Sequence, residues 1–570
     1  MPAKFALAVT LVCVLGSVGR AGPPAPRDDA LRVAPPDAAL VVMVQNLRGH
    51  LTDLRASPFA AWLPSSALGK HLLNGPGLKI FTDGAAPVLG TLGLTPTDLF
   101  HEIVGDAVVF AYTPPPPNDP KAERSVILLR PRKMDTLTAA VDRLNDLQKR
   151  SGELTGVAER KHAGGIYFER QKPDGASDFY CTRGAVFAFS QSEPEIRAVI
   201  ERDKGAGDKP PSLSARLTKL GVADAAAVVL VNPRPLDAEF AAKVAAARGD
   251  EKAFLTKFAE VWAATDAAVL YLSLSKDAEL GVALHFAPEK LPAGLKGWLV
   301  GGRTPSALWN VVPANALFAA AGCVKPNDLL DALAQLAPTS GKPGVRETLG
   351  ETFGPVFGKD KWPLVLDALG PDWGVWVQPP APGTAVPVAV AAVKVATGGP
   401  KGADAAKALD QALEYGFQVA RVAYNAKNEE QLELKEETSA GTVIKSLSGG
   451  ALPPGVVPSF ALKDGYLLLA TSPDAIKSFK APTGDTKPVG EVPLVRFRAA
   501  SAREYLAAHG PKLAKLLSST GAGTETSLAE QFGQLALALE PVERVELLTR
   551  GDDAGLKLML RVKTVKPLKE

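Results

Sequence analysis

Asp178–Ile200, DFYCTRGAVFAFSQSEPEIRAVI, and Ser459–Phe479, SFALKDGYLLLATSPDAIKSF, are two versions of one passage. Each alternates apolar and polar residues, turns at a glycine (Arg183-Gly184 and Asp464-Gly465), alternates again and then starts a helix. Glycine supplies the positive φ of a tight turn, so each passage predicts two antiparallel strands. Ser192-Glu193-Pro194-Glu195 and Ser472-Pro473-Asp474 follow, with a serine N-cap, proline in the first turn and acid at the positive helix end. Gly465 and its counterpart Gly184 read as turn residues and nothing more.

Outward from these hairpins the agreement continues. AALVVMVQN from Ala38 and SALWNVVPAN from Ser306 read as opening strands. Apolar helical spacing follows at Leu47, Leu51 and Leu54, and at Leu329, Leu330, Leu333 and Leu336. IVGDAVVFAYTPPPP from Ile103 and ALGPDWGVWVQPPAP from Ala368 are strands running into proline, which has no N–H to donate to a sheet. SVILLRPR from Ser125 and VPVAVAAVKV from Val386 are the next strands, followed by amphipathic helices over 134–147 and 403–417. After the quoted passages, AAAVVLVNPRP from Ala225 matches EVPLVRFRAAS from Glu491, and each half closes on another alternating hairpin. The features recur in order at a spacing of about 265–280 residues, too long for a solenoid repeat and suited to domain duplication.

The expected fold is therefore α+β: two similar halves by duplication, each with antiparallel or mixed sheets of hairpins and helices packed on one face. The expected divisions are a signal peptide over 1–21, a Pro-rich disordered segment over 22–36, a first half over 37–286, a linker over 287–304 and a second half over 305–565. The first rests on Lys4, the apolar run Phe5–Val18 and the small residues before a cleavage point near Ala21. That run is too short for a comfortable membrane span, Arg20 ends it, and no later stretch supplies about 18 uncharged apolar residues. The chain is thus expected to be exported, periplasmic or extracellular, with no transmembrane segment in its mature form.

Composition excludes little else. A 46% apolar and 22% charged chain is globular rather than disordered. With 64 basic and 61 acidic residues the net charge is only +3, and no Lys/Arg run forms a nucleic-acid arm, so nucleic acid is not an expected partner. Cys181 and Cys323, the cysteines outside the signal region, sit at non-equivalent places in opposite halves and read as two free thiols rather than a bridge.

Catalytic and cofactor motifs are weak. His50, His71, His101, His162, His285 and His509 show no i,i+3 or i,i+4 pairing and no H-E-x-x-H, and no C-x-x-C occurs, so no metal site is expected. Ser273-Leu274-Ser275-Lys276 spells S-x-x-K, but in an alternating strand rather than at the helix start that a serine nucleophile requires. Gly398-Gly399-Pro400-Lys401-Gly402 resembles a phosphate loop only loosely, since Pro400 removes a donor and the first half has Pro131-Arg132-Lys133 there. The acid pairs Asp28-Asp29, Glu429-Glu430, Glu436-Glu437 and Asp552-Asp553 read as solvated loops, not facing glycosidase carboxylates. Trp373 and Trp376 fall on opposite sides of one strand. No catalytic, cofactor-binding or metal residue is assigned.

The opening P-D-A-A-L-V-V with its L-R-x-x-L helix, and L-K-D-G-Y-L-L-L-A-T-S-P-D-A-I-K over Leu462–Lys477, resemble an uncharacterised family of exported bacterial proteins of planctomycete type, a domain of unknown function. The resemblance covers most of the mature chain and implies no reaction or ligand. The leading expectation is a non-catalytic binding or scaffold protein with a protein or envelope partner. The alternatives are an exported hydrolase with a site assembled between the halves, and a carrier of an apolar ligand.

Overall fold

The computed structural model describes residues 26–55, 87–116, 122–205, 211–274, 277–292, 303–330, 345–358, 360–450, 452–483, 490–519, 521–551 and 555–565, with a few isolated positions. The signal peptide, residues 22–25, His71, Lys276, Leu333, Leu336 and Asp552-Asp553 lie outside the described residues. The chain divides into two units, one within residues 1–246 and 265–286, the other within 247–264 and 287–565. The chain passes from one unit to the other at Phe286/Ala287, where the first half was expected to end, while residues 247–264, expected within the first half, group with the second unit.

In the first unit the strands are β1 (Leu40–Gln45), β2 (Ala107–Thr113), β3 (Arg124–Arg130), β4 (Gly156–His162), β5 (Gly165–Gln171), β6 (Ser177–Arg183), β7 (Val186–Ser190), β8 (Ala227–Val231), β9 (Thr265–Leu274) and β10 (Ala278–Phe286). They pair in the order β10-β9-β8-β1-β2-β3-β7-β6-β5-β4, every neighbour antiparallel. Its helices are α1 (Arg27–Val33), α2 (Leu47–Arg55), α3 (Met134–Ser151), α4 (Glu193–Gly205), α5 (Ser212–Lys219) and α6 (Asp237–Ala246).

The second unit contains α7 (Gly249–Ala264) and then β11 (Phe318–Cys323), α8 (Val345–Phe357), α9 (Trp362–Ala368), β12 (Leu369–Gln378), β13 (Val388–Val395), α10 (Gly399–Asn425), β14 (Leu432–Ser439), β15 (Thr442–Gly449), β16 (Ser459–Lys463) and β17 (Tyr466–Ala470). It ends with α11 (Pro473–Ser478), β18 (Val492–Phe497), α12 (Ala499–Ser519), α13 (Glu525–Ala538), β19 (Val542–Gly551) and β20 (Gly555–Thr564). The strand order is β20-β19-β18-β11-β12-β13-β17-β16-β15-β14, again antiparallel throughout and the same order as in the first unit. The turns correspond as well: Ala163-Gly164 and Ala440-Gly441 join β4 to β5 and β14 to β15 with positive φ at both residues.

Several expectations need correction. SALWNVVPAN is not a strand: Ala307–Asn310 forms a 3₁₀ turn capped by Ser306, and the strand is the alanine-rich Phe318–Cys323. Its first-unit counterpart is β1, preceded in both units by the same turn, Ala38 N–H to Pro35 carbonyl and Ala316 N–H to Pro313 carbonyl. Within 22–36, Arg27–Val33 is helical and buries Ala30, Leu31 and Val33, because an apolar stripe outweighs the prolines around it. Asp28-Asp29 lies in that helix and Glu436-Glu437 in strand β14, neither in a loop. Gly184 matches Asp464 rather than Gly465, since Arg183 pairs with Val186 as Lys463 pairs with Tyr466.

Helices lie on both faces of each sheet, not one. On the first face β1, β2, β3 and β8 bury Val41, Met43, Val109, Ala111, Val126, Leu128, Val228 and Leu230, with α1 and α4 packed there. The equivalent core joins Leu308, Ala319, Ala321, Trp376, Val390, Ala392 and Leu468 to Ile476 and Phe479. On the opposite face α3 packs Leu137 against Tyr180 and Phe187, while α9 and α10 pack Val365 and Leu409 against Val395 and Leu467.

Two buried polar clusters hold the second unit's layers. Asp372, inside the first-face core, accepts hydrogen bonds from Ser306 Oγ (2.5 Å), Ala307 N–H (3.1 Å) and Tyr466 OH (2.6 Å). Its first-unit equivalent is Ala107. Tyr466→Phe leaves the buried carboxylate one donor short, and we expect a loss of about 1–3 kcal/mol in urea unfolding; an unchanged midpoint would show that the carboxylate needs only two donors. On the opposite face Lys445 donates to Asp410 and Glu414 of α10, both at 2.8 Å. Burial pulls the Lys445 pKa down, but the two hydrogen-bonded carboxylates outweigh it and the net shift is upward. Its stabilisation is complete below the unfolded lysine value of about 10.4 and is lost as pH rises through the higher folded value. The stability deficit of Lys445→Met should therefore be full near neutral pH and shrink in strong alkali, as read by urea midpoints across that range.

Candidate binding face

Residues directly opposite in register share a sheet face. One row crosses the first unit through Val282, Leu270, Val229, Val42, Phe110, Ile127, Phe189, Tyr180 and Phe168. The equivalent row crosses the second through Leu560, Leu547, Val495, Ala320, Val375, Ala391, Leu469, Phe460 and Lys445. Both belong to the face that carries α3 or α10. Under those helices the row is buried at Tyr180 and Phe460.

Toward the other edge it is open. Leu280 and Val282 are 42% and 41% exposed, and their equivalents Leu558 and Leu560 are each 41% exposed. Leu270, Ile127, Trp373 and Val375 on the same faces are exposed to a similar degree. Single exposed apolar residues are ordinary, but neighbouring ones aligned across several strands form a patch, and such patches mark binding surfaces. The sequence signal was present: AVVFAYT and LVVMVQ are apolar on both sides, whereas a sheet with one solvated face would alternate.

The residues considered for chemistry do not converge. Ser273 stands in β9. Gly398 caps α10, and a Cβ on Gly402 would lie 2.5 Å from the Ala396 carbonyl, so that glycine serves close packing at the helix start. His162 Nε2 lies 2.6 Å from Glu201, and His285 Nδ1 lies 3.3 Å from Asp266. Burial lowers the pKa of His50, partly offset by Asp53. Among the described residues no serine or cysteine shares a hydrogen bond with a histidine, and no group of three or more His, Cys, Asp or Glu could hold a metal. Trp376 is buried and stacked on Phe479, while Trp373 faces outward. Among the described residues no helix is long and apolar enough to cross a membrane.

No family model, curated protein or solved structure matches the chain.

Cys181 and Cys323 are free, and burial pushes the Cys181 thiol up to about 12 and raises Cys323 as well. Thiolate is the reactive form. Iodoacetamide near neutral pH should leave Cys181 unmodified in the native protein, and both thiols should react after denaturation; a mass lower by two hydrogens, with no alkylation, would reveal a bridge.

Proposed function

We propose that the chain is an exported, non-catalytic binding protein whose two units arose by duplication, and that the open part of each sheet face takes an apolar ligand. The observation that carries this reading is the repetition of half-exposed apolar residues at equivalent positions, Leu280 and Val282 in one unit and Leu558 and Leu560 in the other. Duplicated packing is kept because the core requires it. Duplicated apolar exposure has no such cause, and left in water it costs solubility. The shared strand order supports the duplication itself. Export rests on the N-terminal sequence pattern, and membership of the exported family of unknown function on the two motifs quoted above.

The protein purified from the periplasm of an expressing bacterium, extracted into organic solvent and read by mass spectrometry, should release an apolar compound. Val282→Asp with Leu560→Asp, both at half-exposed positions that need not disturb folding, should lower the recovered amount severalfold. An empty extract, together with no saturable binding of a fluorescent fatty acid, would overturn the reading.

A further inference from the structure

A cavity of about 360 Å³ lies at the far edge of the first unit, where the end of α3 meets the β5–β6 hairpin. Gln148, Glu153, Arg170, Lys172, Asp174 and Asp178 line it. Arg170 and Asp178 are 7% and 4% exposed. Arg170 donates from Nε to Asn145 Oδ1 (2.8 Å), from Nη1 to Asp178 Oδ2 (3.3 Å) and from Nη2 to Gln148 Oε1. Lys172 Nζ donates to the other oxygen of the same carboxylate at 2.8 Å. A guanidinium carries five N–H groups and an ammonium three, so two N–H groups remain on each cation. One carboxylate thus faces two cations, and the inner wall of the cavity keeps an excess positive charge.

The rim has the opposite sign. Glu153 and Asp174 are exposed. Glu153 accepts a hydrogen bond from Gln148 Nε2 (3.0 Å), and Asp174 accepts one from the Ala176 N–H (2.9 Å). A simple anion would have to pass two carboxylates, and a simple cation would meet Arg170 and Lys172. A molecule with both charges close together satisfies the inner and outer walls at once.

The fold does not need these charges. Arg170 stands opposite Asp178 in the first unit, and the equivalent pair in the second is Leu447 opposite Pro458. Gly449 occupies the position of Lys172. Burying an ion pair is costly compared with apolar packing, and the second unit shows that the apolar solution is available here.

We propose that this cavity binds a small α-amino acid in its zwitterionic form, the carboxylate between Arg170 and Lys172 and the ammonium group at Glu153 and Asp174. Its volume, near the lower end of the roughly 300–1,000 Å³ typical of ligand pockets, suits a ligand of that size. The site lies on the same sheet face as the apolar row but at the opposite edge, beyond α3, and stands whether or not the open part of that face binds anything.

Calorimetric titration of the full-length protein with L-serine tests it, with acetate and methylamine as single-charge probes. L-serine should bind saturably, and each single-charge probe at least tenfold more weakly. Lys172→Met should weaken L-serine at least tenfold. Glu153→Gln, on the exposed rim and outside the buried cluster, should weaken L-serine while leaving the acetate response no weaker than before. No saturable heat by about 10 mM L-serine, well above a millimolar Kd, would overturn the proposal. Acetate binding as tightly as L-serine would overturn it too, by showing an anion site, as would a Glu153→Gln protein that binds L-serine unchanged.

Discussion

Strands β1 and β11 are hydrogen-bonded on both sides, β1 between β2 and β8 and β11 between β12 and β18. Each unit depends on the register of that central strand. Side chains alternate along a strand, so a slip of one residue would move every one of them to the other face. In most sheets the penalty for such a slip comes from burying polar residues. Here both sides of β1 are apolar apart from Gln45, so that penalty is weak, and the specificity must come from elsewhere. Gln45 supplies part of it: its Nε2 donates to the carbonyls of Ala223 and Ala225, both at 2.7 Å, and Arg27 Nη1 donates to its Oε1 at 3.2 Å. In β11 the same position is Cys323, and the neighbouring Asp372 cluster does the pinning instead.

A central strand fixed in this way sets which apolar residues enter the core and which form the open row. Helices complete one face. On the other they cover the β3-β7-β6 region and leave the β8-β9-β10 end with half-exposed valines and leucines. The two units differ most where polar groups are buried. The first has Arg27 with Gln45, and Arg170 with Asp178; the second has Asp372 with Ser306 and Tyr466, and Lys445 with Asp410 and Glu414. In the second unit Lys445 faces two carboxylates and Asp372 three donors, which suits a clamp between layers. The first unit's cluster lines a cavity with two cations that share one carboxylate, which suits a ligand.

Much of the fold was legible in the sequence, and for a physical reason. Hairpins with glycine turns and proline-terminated strands are local signals, so β2, β3, β6 to β10 and most of their equivalents lie where the pattern places them. Edge strands β4 and β14 escaped because GVAERKH and LELKEETS are charged, as edges must be to avoid pairing with other chains. The strand FAAAGC escaped because alanine and glycine carry little strand signal, while the bulkier LWNVV beside it attracted the assignment. The placement of helices on both faces is written in the doubly apolar strands, whose two apolar sides both require cover. The cavity was not legible at all: Asn145 and Gln148 come from α3, Arg170 and Asp178 from β5 and β6 and Lys172 from the turn between them, and only the β5–β6 register and the packing of α3 bring them together.

The most direct measurement is an experimental structure of the protein purified from the cells that express it, without delipidation or refolding. If the open row is a binding face, electron density for an elongated apolar molecule should lie across Leu270, Leu280 and Val282, or across Leu558 and Leu560. A structure in which the chain's own side chains close over both rows, with no room for a guest, would contradict it.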